Sequence, residues 1–402
     1  MSVPNVEFTA KEALMLEACV KCAACVKSCP VYRITHDPKC TPPYRSKVLR
    51  KVYQSQHGFP YKRDKPRVEE LAEDFEEVFK CTLCGICTIG CTFQIQMRET
   101  LFDKLRALYE KLGLTKGGIK QTLDSIREFK NPFSLEKDLR VMWISDAESY
   151  EVQVPVKQKA KILYFVGCTS ALKGALSMIP IGAAKVLNTI GEPWTVLGEE
   201  EVCCGNPALA AGGEEVAREL AEENVRLAEQ LGVEVVVMTC PGCFRTWMWE
   251  FPKLLKRKLP FKIIHLTELV LNHVKSGSLR LKQVVNEVVT YHDPCELGRL
   301  SGIIEEPREI LKFVTKGLRE PKESKSEGLC CGGGGLLNLV DKEAWSNLSV
   351  FRLKQLIETG ARKVFSSCPS CKNTLMSAVE ALGVDVEIID LAEVLGDAVE
   401  KA

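Results

Sequence analysis

A five-cysteine pattern is written twice in this chain, and it constrains the fold more than any other feature. The first copy is Cys168, then Cys203-Cys204-Gly205, then Cys240-Pro241-Gly242-Cys243. The second is Cys295, then Cys330-Cys331-Gly332, then Cys368-Pro369-Ser370-Cys371. Cys168, Cys203 and Cys240 thus recur 127, 127 and 128 residues later. The flanks repeat too, since Ile263-Ile264-His265-Leu266-Thr267-Glu268-Leu269 is echoed by Ile388-Ile389-Asp390-Leu391-Ala392-Glu393-Val394. A register kept over such a length marks a duplicated domain that holds sulfur ligands.

Nineteen cysteines in 402 residues would suggest a disulfide framework only in a short secreted chain. Residues 1–18 show no basic start followed by an apolar run. No stretch reaches the roughly 18–20 apolar residues that span a bilayer. A cytoplasmic protein is expected, with its cysteines serving as metal or redox ligands. The net charge of +1 provides no bulk field for nucleic acid. The length suits two or three domains.

Residues 1–110 read as a first unit. Cys19, Cys22, Cys25 and Cys29, followed by Pro30, have the spacing of the bacterial ferredoxin run, as do Cys81, Cys84, Cys87 and Cys91. In such pairs the last cysteine of each run commonly serves the other cluster. The second run ends Cys91-Thr92, without the usual proline, and 51 residues separate the runs. Helical patterns over 68–80 and 98–111 favour an α-helical ferredoxin-type domain. Zinc is the alternative, but it usually takes two separated CxxC pairs. Cys40 lies outside both runs and reads as a spare thiol. Residues 44–67 carry eight basic side chains against Asp64, either a solvated face or a docking patch for an anionic partner or membrane surface.

Residues 111–158, punctuated by Gly117-Gly118, Asn131-Pro132 and Pro155, read as a connector. Beyond it strands and helices alternate, in a first domain over 159–283 and a second over 284–402. Strands are expected at 162–166, 194–197, 233–238 and 263–266, and again at 288–291, 363–365 and 384–389. Helices are expected at 171–190 (with Pro180 as a break), 214–231, 244–256, 305–314, 342–358 and 372–381. Residues 316–327 read as a charged loop. The fold class is therefore α/β, with duplicated Rossmann-like domains built on parallel sheets.

Cys168, Cys240, Cys295 and Cys368 each follow the end of an expected strand, the edge where open parallel sheets bind ligands. The second cysteine of each CxxC opens a helix, whose N-terminus favours thiolate. Gly205 and the run Gly332-Gly333-Gly334-Gly335 permit close approach to a bulky inorganic core. Five cysteines exceed the four ligands of one zinc ion, so a polynuclear iron–sulfur centre accounts for them best. A vicinal disulfide in each doublet is the other alternative. The Gly-rich run fails the dinucleotide context, because a cysteine doublet and not a strand precedes it. His292 and Asp293 could relay a proton, but no third residue visibly supports them.

The doubled pattern resembles the paired CCG domains of heterodisulfide reductase. Their fusion to a double ferredoxin run resembles that enzyme's D-type polypeptide, in which modules that are separate in the cytoplasmic enzyme are joined. That resemblance implies two 4Fe–4S cubanes on the N-terminal runs. It further implies two non-cubane clusters, each a fused 3Fe–4S and 2Fe–2S unit. One would be held by Cys168, Cys203, Cys204, Cys240 and Cys243, the other by Cys295, Cys330, Cys331, Cys368 and Cys371. The implied activity is an oxidoreductase of anaerobic metabolism that cleaves or forms a disulfide between the two clusters. The disulfide would be a small heterodisulfide or a carrier protein's cysteine pair. The implied electron donor is a membrane b-type cytochrome, a flavoprotein or a hydrogenase, which could hold the protein at the inner face of the membrane. An electron-relay subunit of a flavin-dependent glycolate, lactate or acyl-CoA dehydrogenase is the alternative function, although such relatives often lack some of these ligands. A zinc-stabilised scaffold is the third.

Overall fold

The computed structural model describes residues 2–58 and 64–402. Two compact units result, and the chain passes between them more than once. One unit comprises Met1–Leu123 with Pro207–Glu214 and Gly332–Ser349; the other comprises Asp124–Asn206, Glu215–Cys331 and Val350–Ala402. The two added pieces of the first unit follow closely on the two cysteine doublets.

The first unit is helical, as its sequence patterns predict. Helix Ala10–Ala18 starts on a capping box in which Thr9 and Glu12 satisfy each other's backbone N–H. Helix Pro42–His57 buries Val48, Leu49 and Val52, and Leu101 and Leu105 are buried in the same unit. The helix expected over 68–80 is two short ones, Val68–Glu73 and Phe75–Phe79, broken at Asp74. The Asp74 carboxylate accepts a hydrogen bond from the Tyr44 hydroxyl. The helix expected from residue 98 begins with a wide turn, Met97–Phe102, before Asp103–Lys111 becomes regular.

The second unit contains ten strands: β1 (Ile162–Phe165), β2 (Trp194–Thr195), β3 (Val235–Met238), β4 (Lys262–His265), β5 (Leu279–Leu281), β6 (Val285–Tyr291), β7 (Thr315–Arg319), β8 (Lys363–Ser366), β9 (Glu387–Asp390) and β10 (Val399–Lys401). The two main sheets have the same order, β2-β1-β3-β4 and β7-β6-β8-β9, and every pair in them is parallel. Alternation along the strands divides their faces. Ile162, Tyr164, Val237, Ile264, Val289, Tyr291, Phe365 and Ile389 all enter one core shared by both repeats. Leu163, Phe165, Val236 and Met238 face outward to helices of the first repeat, and Val364 and Ile388 to those of the second. Burial on both faces explains why these strands read as continuous apolar runs.

Two expectations need correction, and one pairing is new. Residues 316–327 are not all loop: Thr315–Arg319 forms edge strand β7 beside β6. An edge strand keeps one side wet, so its Lys316 and Arg319 imitate a loop's composition. Pro180 does not break a helix, because the helix starts at Met178 and Pro180 falls in its first turn, where no intrahelical N–H is required. The short strands β5 and β10, which no apolar run foretells, end the two repeats and pair antiparallel with each other.

The repeats also meet through helices Met178–Ile190 and Leu391–Ala398. Gly182 and Gly396 touch backbone to backbone, and a Cβ at Gly182 would be driven into the Ala392 carbonyl. Lys185 and Asp397 close the crossing with an ion pair of 2.6 Å. Gly182→Ala is expected to destabilise the protein by about 1–3 kcal/mol, the usual cost of overpacking. Thermal unfolding of the variant against the parent reads this directly.

Candidate metal centres

In the helical unit the cysteine runs exchange their last members. Cys19, Cys22 and Cys25 line one small cavity with Cys91, whereas Cys29 lines another with Cys81, Cys84 and Cys87. The local backbone explains the grouping. Lys21 and Ala23 flank Cys22 in left-handed conformation, and Leu83 and Gly85 do the same around Cys84. These turns wrap each run's first three cysteines around one point. Non-glycine residues held so cost of order 1–3 kcal/mol each, a strain typical of ligand clamps. Cys29 instead follows a 3-10 turn and caps helix Pro30–Thr35, which carries it to the other cavity.

These thiols do not ionise readily by themselves. Burial, with Cys91 and Cys19 nearby, pushes Cys25 up to about 12. Burial likewise raises Cys29 to about 11 against the opposing pull of Arg45. Cys87, wholly buried among Cys84, Cys81 and Cys29, is raised well above the ordinary range. A cationic metal core reverses that penalty, because a coordinated thiol is deprotonated outright. Two sets of four sulfurs therefore fit two metal centres. Cys40 lines neither cavity; it is buried with its thiol facing Asp37.

Three arginines that no motif singles out surround the second cavity. Arg45 and Arg98 line it, and Arg45 donates to the carbonyls of Glu77, Cys40 and Lys80. Arg106 is fully buried and donates to Phe79 O at 3.1 Å, Cys81 O at 2.8 Å, Ala210 O at 2.7 Å and Gly335 O at 2.8 Å. Burial lowers its pKa to about 10, so it remains a cation at neutral pH. The basic stretch at 44–67 is correspondingly less of a surface than its composition suggests. Arg45 is internal, Arg50 binds the Leu16 and Glu17 carbonyls, and Lys62 and Arg63 lie outside the described residues. Lys47, Lys51, Lys65 and Arg67 remain to form any patch.

In the α/β unit the cysteines collect at the carboxyl edges of both sheets. Cys168 follows β1 across Gly167, where a positive φ disfavours a side chain and an added Cβ would lie only 3.0 Å from the Cys243 sulfur. Cys240 and Cys368 follow β3 and β8 and occupy the caps of helices Pro241–Arg245 and Pro369–Leu382, so the second cysteine of each CxxC lies inside the first turn. Cys371 N–H donates to the Cys368 sulfur at 3.4 Å. In the first repeat sulfur contacts run from Cys168 to Cys203, Cys204, Cys243 and Cys240. In the second they run from Cys330 through Cys331, which is 3.5 Å from Cys371, to Cys368. Cys295 stands half-buried at the same edge, after β6. Hydrogen bonds from neighbouring thiols lower Cys204 to about 6 and hold Cys331 well below the usual range. In each set the second cysteine of the doublet is the member readiest to ionise, whereas Cys203, despite its bond to Cys168, is pushed up by Cys204 and by burial.

The two sites meet across the repeat boundary. Arg245, two residues beyond Cys243, pairs with Glu296, next to Cys295, at 3.6 Å. Lys173, on the segment that follows Cys168, bonds Asn373, two residues beyond Cys371, at 3.2 Å. Cys240 also lies within electrostatic reach of Cys368.

Buried charges again supply what the sequence did not show. Arg140, from the stretch read as connector, places Nη2 3.2 Å from the Cys168 sulfur. Glu201 fixes it at 2.9 Å and accepts the N–H groups of Val166 and Gly167. In the second repeat His292 and Asp293 do not form a relay. Successive residues at a strand end point to opposite sides. Asp293 is held by Arg308 at 2.7 and 2.9 Å, while His292 Nδ1 accepts from Arg352 at 3.1 Å. Neither Arg140 nor Arg352 belongs to a motif, so no sequence signal marks them.

Comparison with known proteins finds two kinds of domain along the chain. The cysteine-rich CCG domain matches residues 162–247 and 289–376, and the 4Fe-4S dicluster domain matches residues 15–95. The chain is 33% identical to the D subunit of the dihydromethanophenazine:CoB--CoM heterodisulfide reductase of Methanosarcina acetivorans, over 99% of this chain and 98% of that protein. It is 31% identical to the Methanosarcina barkeri protein of the same name, over 99% and 97%. It is also 25% identical to the EtfAB:quinone oxidoreductase of Syntrophomonas wolfei, covering 99% of this chain and 60% of that one.

Proposed function

The chain belongs to the family of the heterodisulfide reductase D subunit, and from that premise we propose that it is the disulfide-active subunit of a redox complex. It is an iron–sulfur oxidoreductase subunit with a dicluster domain and two CCG domains. Among the described residues no helix is long and apolar enough to cross a membrane. In this reading Cys19, Cys22, Cys25 and Cys91 hold one cubane, and Cys29, Cys81, Cys84 and Cys87 hold the other. Each complete five-cysteine set holds a non-cubane cluster. When bound, such clusters supply one-electron steps and iron sites that can accept a thiolate. The net reaction takes a disulfide, two electrons from a partner subunit and two protons to two thiols.

The observation that carries the proposal is the meeting of the two sites. Arg245–Glu296 and Lys173–Asn373 join residues beside the ligands of one repeat to residues beside the ligands of the other. Two cluster sites held so are suited to taking one thiolate each from a single disulfide. A fixed cation at Cys168, Arg140, favours negative charge there as it develops. The likeness to an EtfAB:quinone oxidoreductase favours a second reading, electron relay without disulfide chemistry.

Anaerobically purified protein is expected to contain about sixteen irons, four for each of four clusters, and little zinc. It should reduce a disulfide when given a low-potential one-electron donor. Iron near half that value, with the cubane signals intact, would mean empty CCG sites and would remove the claim. Full iron with no disulfide reduction would leave the relay reading in its place.

A further inference from the structure

The two CCG sites share ten cysteines' worth of symmetry, but their other polar neighbours differ. Tyr164 and Tyr291 are equivalent, since each lies near the end of its strand and bonds a hydroxyl after the neighbouring strand: Thr239 at 3.1 Å and Ser367 at 3.3 Å. The next residue is Phe165 in the first repeat and His292 in the second. Phe165 is fully buried and packs edge-on against Trp247, with ring centroids 5.1 Å apart. His292 is just as buried, at 1% exposure. Its backbone is fixed by Phe365 O at 2.7 Å and by the Ser366 hydroxyl at 3.2 Å.

The imidazole tautomer follows from its neighbours. Arg352 Nε donates to Nδ1 at 3.1 Å, so Nδ1 is the acceptor and the ring proton of a neutral His292 lies on Nε2. Arg352 is itself held by the Glu323 carbonyl and the Gln355 amide oxygen, both at 3.0 Å. Nε2 is buried and has no hydrogen-bond partner among the described residues. Facing the ring are the sulfurs of Cys331 and Cys371, and one nitrogen of His292 and these two sulfurs all lie within 4.8 Å of one another. A buried N–H with no other partner strongly prefers an acceptor, and thiolate sulfur is the acceptor at hand.

We propose that His292, oriented by Arg352, is a positioning residue that donates its Nε2 proton as a hydrogen bond to the ligand sulfurs of the second CCG site, and so raises the reduction potential of that site alone. The inference rests on the reading that the site holds an iron–sulfur cluster. A donor to a ligand sulfur stabilises the more negative, reduced state, and hydrogen bonds to sulfur are among the protein's means of setting cluster potentials. The first site lacks this donor, because Phe165 stands there; its sulfur Cys168 faces the permanent cation Arg140 instead. The two halves of the active region are therefore electronically distinct, which lets a two-electron reaction proceed in a set order.

Three measurements on the full-length, anaerobically purified protein test this, with Cys204→Ala as the reference that isolates the second-site signal. In parent protein grown with 15N-histidine, pulsed EPR should show a coupled imidazole nitrogen on that signal. A redox titration of His292→Phe, which copies the first repeat, should lower the one-electron equilibrium constant of the second site at least tenfold, about 59 mV. The cubane potentials should not move. His292→Gln, which keeps an N–H donor, should stay within about threefold of the parent, since a donor is restored in place. Absence of the nitrogen coupling overturns the proposal even if His292→Phe fails to hold iron. An unchanged potential in iron-replete His292→Phe, or a glutamine variant as shifted as the phenylalanine one, overturns it as well. A parent protein with no second-site cluster at all would instead defeat the functional reading, and this inference with it.

Discussion

Cys331→Ala is expected to abolish disulfide reduction while leaving the iron of the first repeat in place, and Cys204→Ala is expected to do the mirror image. Each five-cysteine set stands on its own four-stranded sheet, β2-β1-β3-β4 or β7-β6-β8-β9, so loss of one site need not empty the other. Both doublet cysteines are buried, at 4% exposure for Cys204 and 3% for Cys331, and each lies mid-way in its chain of sulfur contacts. Removing an outer partner of a metal ligand already costs about 10–100-fold, so removing a central ligand should exceed that. The two sites fail together in catalysis because one iron site can take only one of the two thiolates. Iron analysis, the cubane EPR signals and the disulfide-reduction rate should be read on the same samples. A variant shown to lack its own CCG cluster, yet reducing a disulfide at near-normal rate, would end the two-site mechanism in favour of electron relay.

The second large effect is structural. Arg106→Met should destabilise the helical unit by at least about 3 kcal/mol, since each buried polar group left without its partner costs about 1–3 kcal/mol. Three carbonyls from three chain segments, those of Cys81, Ala210 and Gly335, lose this donor together, while Phe79 O keeps the Cys81 N–H at 2.7 Å. The surroundings leave no room for adjustment. A Cβ at Gly212 would strike the Arg106 carbonyl, and one at Gly335 the Cys81 carbonyl, so the backbones here are in direct contact. Cys81 lines the second cavity with Cys29, Cys84 and Cys87, and the loss should also appear as a weakened signal from the cluster proposed there. Arg106→Lys should recover only part of the stability, because an ammonium cannot fork across four acceptors as a guanidinium does. A methionine variant that unfolds at the parent's temperature with full iron would show that the four bonds contribute nothing net.

The cysteine spacing alone determined much of this protein. Ligand groups must recur at fixed offsets to converge on one point, so the duplication, the parallel α/β repeats and the double ferredoxin run were all legible. Apolar runs bounded by turn residues located most strands, because burial on both faces leaves little room for polar residues. What could not be read depends on contacts between distant residues. Strand β7 hides behind lysine and arginine that its exposed edge tolerates. Pro180 is harmless only because the helix happens to begin two residues earlier. Arg106, Arg140 and Arg352 each serve a site far away in sequence and carry no motif. The exchange of Cys29 and Cys91 between cavities was expected from the paired runs, but the left-handed turns at Lys21, Ala23 and Leu83 that accompany it were not, since those residue types do not favour that conformation. The sequence specified which atoms could bind metal; the tertiary structure decided which of them face one another and which buried charges stand beside them, because electrostatic and packing energies depend on distances in space and not along the chain.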